Sequence, residues 1–179
     1  MVSEYDKGDL YAQYHFTIEP YDTVYTVYEK VSLCAAKAVS TYASKWSNGI
    51  FDVIKQDESE ATYYKRRKPA DGEIIDFSQN ATVLHNFIRA QTHPYPGAYI
   101  TTTKGRLYVL QSDVVTNAKV HLPPGTVYEK SCSGGVLVAA HAGTAIEIIR
   151  VKLEKNPSMW AAEFVSEKNL PFNIFDILI

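Results

Sequence analysis

Residues 97–115 read Gly97-Ala98-Tyr99-Ile100-Thr101-Thr102-Thr103-Lys104-Gly105-Arg106-Leu107-Tyr108-Val109-Leu110-Gln111-Ser112-Asp113-Val114-Val115. Two runs rich in β-branched and aromatic side chains flank Lys104-Gly105, the pattern of strand, turn and strand. The same texture continues toward the C-terminus. Strands are expected over 98–102, 107–115, 126–128, 136–139 and 145–153. Between them stand the turn signals Pro123-Pro124-Gly125, Ser133-Gly134-Gly135 and Ala142-Gly143. Five short strands at this spacing predict a small OB-like β-barrel, with a last helix over 158–166 packed on it.

Working outward from the barrel, Ser78 is placed to cap a helix that carries Val83, Leu84, Phe87 and Ile88 and stops before His93-Pro94. Residues 56–77 are polar and charged and read as an extended connector closed by Asp71-Gly72. Earlier still, Val24, Val27, Tyr28, Val31, Ala35, Ala38, Val39, Tyr42 and Trp46 lay one apolar stripe along a helix over 22–46. Asp22 suits its N-cap, and Asn48-Gly49 suits its stop. Residues 9–18 and 50–54 read as flanking strands. The chain therefore opens on a piece of an α/β layer, with the division between two domains expected at 77/78. A strand–helix–strand unit cannot enclose a core by itself.

The 179 residues are 46% apolar and 21% charged, ordinary values for a packed domain. Eighteen basic and twenty acidic side chains give a net charge of -2, which argues against a whole-chain attraction to nucleic acid or anionic membrane. No stretch approaches the length of a membrane helix, and the first residues carry no secretory pattern, so a cytoplasmic protein is expected. Cys34 and Cys132 belong to no metal-spacing pattern and read as two small buried hydrophobes. None of His15, His85, His93, His121 and His141 has metal-ligand spacing, so no metal is expected.

Three segments go further. Residues 60–72, Glu-Ala-Thr-Tyr-Tyr-Lys-Arg-Arg-Lys-Pro-Ala-Asp-Gly, are one. Val83-Leu84-His85-Asn86-Phe87-Ile88-Arg89-Ala90 with Pro94-Tyr95-Pro96-Gly97-Ala98-Tyr99 is the second. Pro124-Gly125-Thr126-Val127, Gly135-Val136-Leu137-Val138-Ala139 and Ala145-Ile146-Glu147-Ile148 make the third. In order and spacing they resemble the formyltransferase family, whose members pass a formyl group from 10-formyltetrahydrofolate to an amine. The resemblance is to the C-terminal half. It implies a partial Rossmann-like layer followed by the barrel.

Within the family, Arg66 and Arg67 before Pro69 and the run from Leu84 to Ala90 look most like the branch that acts on nucleotide-linked amino sugars. Those two arginines would then attract the sugar nucleotide's diphosphate, for which Arg is well shaped. A plain solvated connector is the alternative reading of residues 65–68. The barrel of methionyl-tRNA formyltransferases helps hold tRNA. Residues 98–179 carry eight basic side chains against seven acidic, without an obvious basic stripe. The thirteen tyrosines read as core and rim rather than as a stacking platform.

The resemblance also implies site residues. Val2-Ser3-Glu4-Tyr5-Asp6-Lys7-Gly8 is similar to the family's Asp-x-Gly loop, which makes Asp6 the catalytic aspartate and Val2, Ser3, Glu4, Tyr5 and Asp6 the border of the folate pocket. In the family an Asn and a His on an Asn-x-His element stabilise the oxyanion and handle the proton. The Asp hydrogen-bonds that His and raises its pKa. No Asn-x-His element occurs in this chain. The expectation is a C-terminal portion that is inactive in isolation and that self-associates or takes a partner supplying the missing half. The alternatives are the corresponding part of a methionyl-tRNA formyltransferase and a non-catalytic binding module. The apolar tail over 170–179 would cover exposed surface or dock on the barrel.

Overall fold

Extended runs become strands only where a neighbour accepts their hydrogen bonds. In the second half of the chain they all find one. The computed structural model describes residues 5–102, 105–154 and 156–166. Strands β1 (Ala98–Thr102), β2 (Gly105–Val115), β3 (Val127–Lys130), β4 (Val136–Ala139), β5 (Ala145–Leu153) and β6 (Met159–Trp160) form one antiparallel sheet. Its order is β1-β2-β5-β4-β3, with β6 also on β5. β4 takes residues 145–148 of β5 and β6 takes Arg150 and Val151, so both lie along one edge of that strand.

This sheet corrects the expectation of an OB-like barrel. Among the described residues β1 and β3 do not pair, and the sheet stays open. What replaces closure is a helix. α2 (Ala81–Arg89) buries Ala81, Leu84 and Ile88, residues spaced by three and four and therefore on one face. They join a single cluster with Ile100, Leu107, Val109, Val127, Val138, Ile146, Ile148 and Val151 from the sheet. α3 (Ala161–Ser166) adds Ala161 and Phe164. The cap of α2 is Asn80, whose side-chain oxygen accepts from Val83 N at 3.0 Å. Ser78 instead donates its hydroxyl to Asp76 at 2.5 Å, closing the turn before the helix. Gly135 meets a tight approach. A Cβ there would lie 2.7 Å from Glu147 Oε1 and 2.8 Å from the Ile148 carbonyl, closer than real Cβ contacts come.

The first half differs. Helix α1 (Val24–Ser47) is present over nearly the expected span, yet none of its residues is buried. Its C-terminus closes in a full Schellman arrangement. Gly49 N donates to the Trp46 carbonyl at 3.0 Å and Ile50 N to the Lys45 carbonyl at 2.9 Å, with Gly49 at φ +73°. At the other end Asp22 precedes the helix and is 3% exposed. It accepts from Glu19 N at 2.7 Å, from Thr26 Oγ1 at 2.8 Å and from the Lys30 ammonium.

The two strands expected to flank α1 do not form. Only Leu10 and Ile54 meet, in one antiparallel bridge. Ile50, Phe51, Val53 and Ile54 are exposed, although their alternation suits a half-buried strand. The described residues fall into two compact units. One is built from the chain up to Asp22 with Thr26–Arg67, the other from Thr23–Tyr25 with everything from Lys68 on.

Candidate functional site

The Asp-x-Gly loop lies in the first unit. Asp6 has φ +60°, in the left-handed region that L-residues visit at a cost of roughly 1 kcal/mol or more, Asp less than most. Its side chain is exposed, as is that of Tyr5, at 97%. The backbone of the loop is tied down. Gln56 Nε2 donates to the Asp6 carbonyl at 2.9 Å and to the Gly8 carbonyl at 2.6 Å. Net contributions of about 1 kcal/mol per hydrogen bond are of the same order as the strain they oppose. Between these two anchors, the Lys7 ammonium pairs with the Glu58 carboxylate and reaches Tyr63 Oη at 2.9 Å. Glu58 first, and then Tyr63, hold Lys7 protonated far above the ordinary lysine range.

The other sequence-derived residues are placed as follows. Val2, Ser3 and Glu4 lie outside the described residues, as does the tail over 170–179. Arg66 and Arg67 are exposed in the extended segment that follows Tyr63. The structure thus joins Lys7, beside Asp6, to the start of that segment through Tyr63. Cys34 is half-buried and Cys132 exposed, against the expectation of two buried thiols. The turn that carries Cys132 is held by polar bonds, with Ser131 and Ser133 both donating to Glu147, and offers no apolar enclosure. Several tyrosines are neither core nor rim, with Tyr21, Tyr63 and Tyr64 at 79%, 76% and 92% exposed. Among the described residues no three His, Cys, Asp or Glu side chains are grouped to hold a metal. No helix there is long and apolar enough to cross a membrane.

A second arrangement, in the sheet unit, has no counterpart in the sequence motifs. Side chains directly opposite in antiparallel strands share a face. Tyr99 stands opposite Tyr108 and Tyr108 opposite Lys152, while Thr101 faces Arg106. Gln111 faces Arg150, and Arg150 faces Trp160. The face away from the core cluster therefore carries Arg106, Lys152 and Arg150 interleaved with Tyr108 and Trp160, while Tyr99 on the same face is buried. The Arg106 guanidinium lies 4.6 Å from the Tyr99 ring centre and that of Arg150 lies 4.7 Å from the Trp160 ring centre, both within cation–π range. Three acids border this face, Glu73 accepting from the Thr101 hydroxyl, Glu154 from Arg106 N at 3.3 Å and Glu163 from Trp160 N at 3.3 Å. The signal for this face is the register. A charge total over 98–179 averages it away.

Comparison with known proteins identifies the family. Residues 67–169, more than half of the chain, match the family model described as formyl transferase, C-terminal domain. A methionyl-tRNA formyltransferase of Bacillus velezensis is 33% identical over 170 residues, covering 95% of this chain and 52% of that protein. The chain thus spans about half the length of the curated relative it matches. Among solved structures, HypX from Aquifex aeolicus in complex with tetrahydrofolic acid superposes with a TM-score of 0.66 at 17% identity, over 99% of this chain and 32% of that one. A sugar 3N-formyltransferase, WlaRD, superposes with a TM-score of 0.59 at 19% identity, over 79% of this chain and 49% of that one. At these identities the two structural matches establish the fold alone.

Proposed function

The chain belongs to the formyl transferase family, and on that premise we propose that it forms the C-terminal half of an enzyme that transfers a formyl group from 10-formyltetrahydrofolate to the amine of methionyl-tRNA. The observation that carries the acceptor is the 33% identity to a methionyl-tRNA formyltransferase, which runs across both units. The basic and aromatic sheet face supports it. Arg106, Arg150 and Lys152 supply cations for phosphates, and Trp160, 40% exposed, supplies an apolar plane.

Asp6 has the part of a positioning carboxylate. The formyl donor supplies the one-carbon unit, and an amine that attacks it must shed a proton. An imidazole brought beside Asp6 would donate a ring N–H to its carboxylate. The neighbouring negative charge would favour the imidazolium and so raise the pKa of that ring. The Asp6 carboxylate is exposed and on a backbone held from below, so it can accept such a bond from a group outside the described residues. No Asn-x-His element occurs in the sequence, and the other half of the enzyme has to bring it.

The reading that favours an amino-sugar nucleotide rests on Arg66 and Arg67, both exposed and suited to a diphosphate. One assay separates the two. The 179-residue chain, fused behind the N-terminal half of the Bacillus velezensis relative, is supplied with 10-formyltetrahydrofolate and either methionyl-tRNA or a UDP-linked amino sugar. Formylation of the tRNA is expected. Formylation of the sugar nucleotide alone would replace the proposed acceptor, and formylation of neither would overturn the proposal.

A further inference from the structure

We infer that Gln56 is a positioning residue for the Asp6 carboxylate, an inference that rests on the reading of Asp6 given above. Leu10 and Ile54 exchange both backbone hydrogen bonds, each at 2.8 Å, and so set an antiparallel register. In that register Gly8, two residues before Leu10, stands opposite Gln56, two residues after Ile54. Among the described residues backbone pairing does not continue there, and the Gln56 side chain takes its place. Its single amide nitrogen bonds the carbonyls of Gly8 and Asp6, on either side of Lys7. The amide thereby holds the Asp6–Lys7 and Gly8–Asp9 peptide planes, while Lys7 between them is pinned to Glu58 and Tyr63. The direction of the Asp6 Cα–Cβ bond follows from the backbone so held, in a conformation that relaxes when nothing opposes the strain.

The chemistry of the amide matters too. A lysine or arginine at position 56 could also donate to two carbonyls, but it would set a positive charge beside the loop and compete with an imidazole for the carboxylate. Glutamine orients Asp6 and leaves its charge uncompensated, which is what raising the pKa of a histidine requires. The dual hydrogen bond, from one neutral donor to the carbonyl of a left-handed aspartate and to that of Gly8 two residues on, is the observation that assigns the role.

The test has two parts. In the 179-residue chain, trypsin cleavage of the Lys7–Gly8 bond is compared with cleavage after Lys37 in α1, which reports on the helical unit that both sites share. Gln56→Leu and Gln56→Glu both remove the donor, and each is expected to speed the Lys7–Gly8 cut by roughly tenfold while the Lys37 cut is unchanged. In the fusion enzyme, Gln56→Leu is expected to lower kcat by roughly tenfold with KM for both substrates within about twofold. Combined with Asp6→Asn it should cost nothing further, because both act through one carboxylate. Unchanged cleavage, an unchanged kcat, or losses that multiply in the double variant would each overturn the inference. Full activity of Asp6→Asn would instead overturn the reading of Asp6, with the cleavage rates still deciding whether Gln56 holds the loop.

Discussion

Asp22 shows how one carboxylate organises the start of α1. The Lys30 ammonium first, then the Glu19 amide and the Thr26 hydroxyl, hold its pKa down to about 2 from the ordinary 3.8. Because the folded state prefers the charged form, its contribution to stability is complete above the unfolded value near 4 and is lost as pH falls through about 2. Helix content followed by circular dichroism should therefore fall between pH 4 and pH 2, and Asp22→Asn should flatten that decline while lowering stability at neutral pH. An identical acid profile in Asp22→Asn would assign the loss to other carboxylates. The same residue marks a limit of sequence reading. That a carboxylate at residue 22 stands at the start of the helix was legible, but the lysine eight positions on that secures it was not. That partner depends on the approach of residues 17–19, where Lys30 also donates to the Thr17 carbonyl at 2.9 Å.

At the scale of elements, β1, β4 and β5 stand where alternation and turn residues put them, as local signals dictate when a strand pairs with near neighbours. β6 has no such signal. Two residues, Met159 and Trp160, carry no periodicity, and they become a strand only because Val151 and Arg150 lie along the edge that β4 leaves uncovered. The flanking segments of α1 err the other way. Residues 50–54 have the alternation of a strand and lack a partner beyond the single Leu10–Ile54 bridge. The basic face was illegible for a related reason. Arg106 stands more than forty positions before Arg150 and Lys152, and the three meet only through the register of β2 and β5. If that face binds RNA, Arg106→Ala and Lys152→Ala should each weaken tRNA binding by the 179-residue chain roughly threefold to tenfold. The slope of log affinity against log salt should become shallower by about one for each phosphate that the variant leaves unneutralised. A salt titration of tRNA binding by fluorescence anisotropy reads both, and unchanged slopes would remove the face from the account.

The whole molecule pairs a sheet unit with one continuous core and a helical unit whose 24-residue helix buries nothing. Leu33, Val39, Ile50, Phe51 and Ile54 are all at least half exposed, a density of apolar surface that water disfavours. The isolated chain is therefore expected to self-associate or to bind a hydrophobic dye, and fusion to a formyltransferase N-terminal half should abolish both. A strictly monomeric, dye-negative chain in sedimentation at high concentration would mean that this surface needs no cover. Family membership was legible from motifs that include backbone turns and core positions, among them Gly72, Leu84, Ile88, Val136 and Val138. The acceptor was not, because it depends on side chains gathered from distant strands. The proposed function depends most directly on Asp6, to which it gives the part of the positioning carboxylate. The deciding measurement is kcat for formylation of methionyl-tRNA by the fusion enzyme with Asp6 and with Asp6→Asn. A fall of roughly a hundredfold or more is expected, with KM for the tRNA little changed. Equal turnover by the two proteins would contradict it.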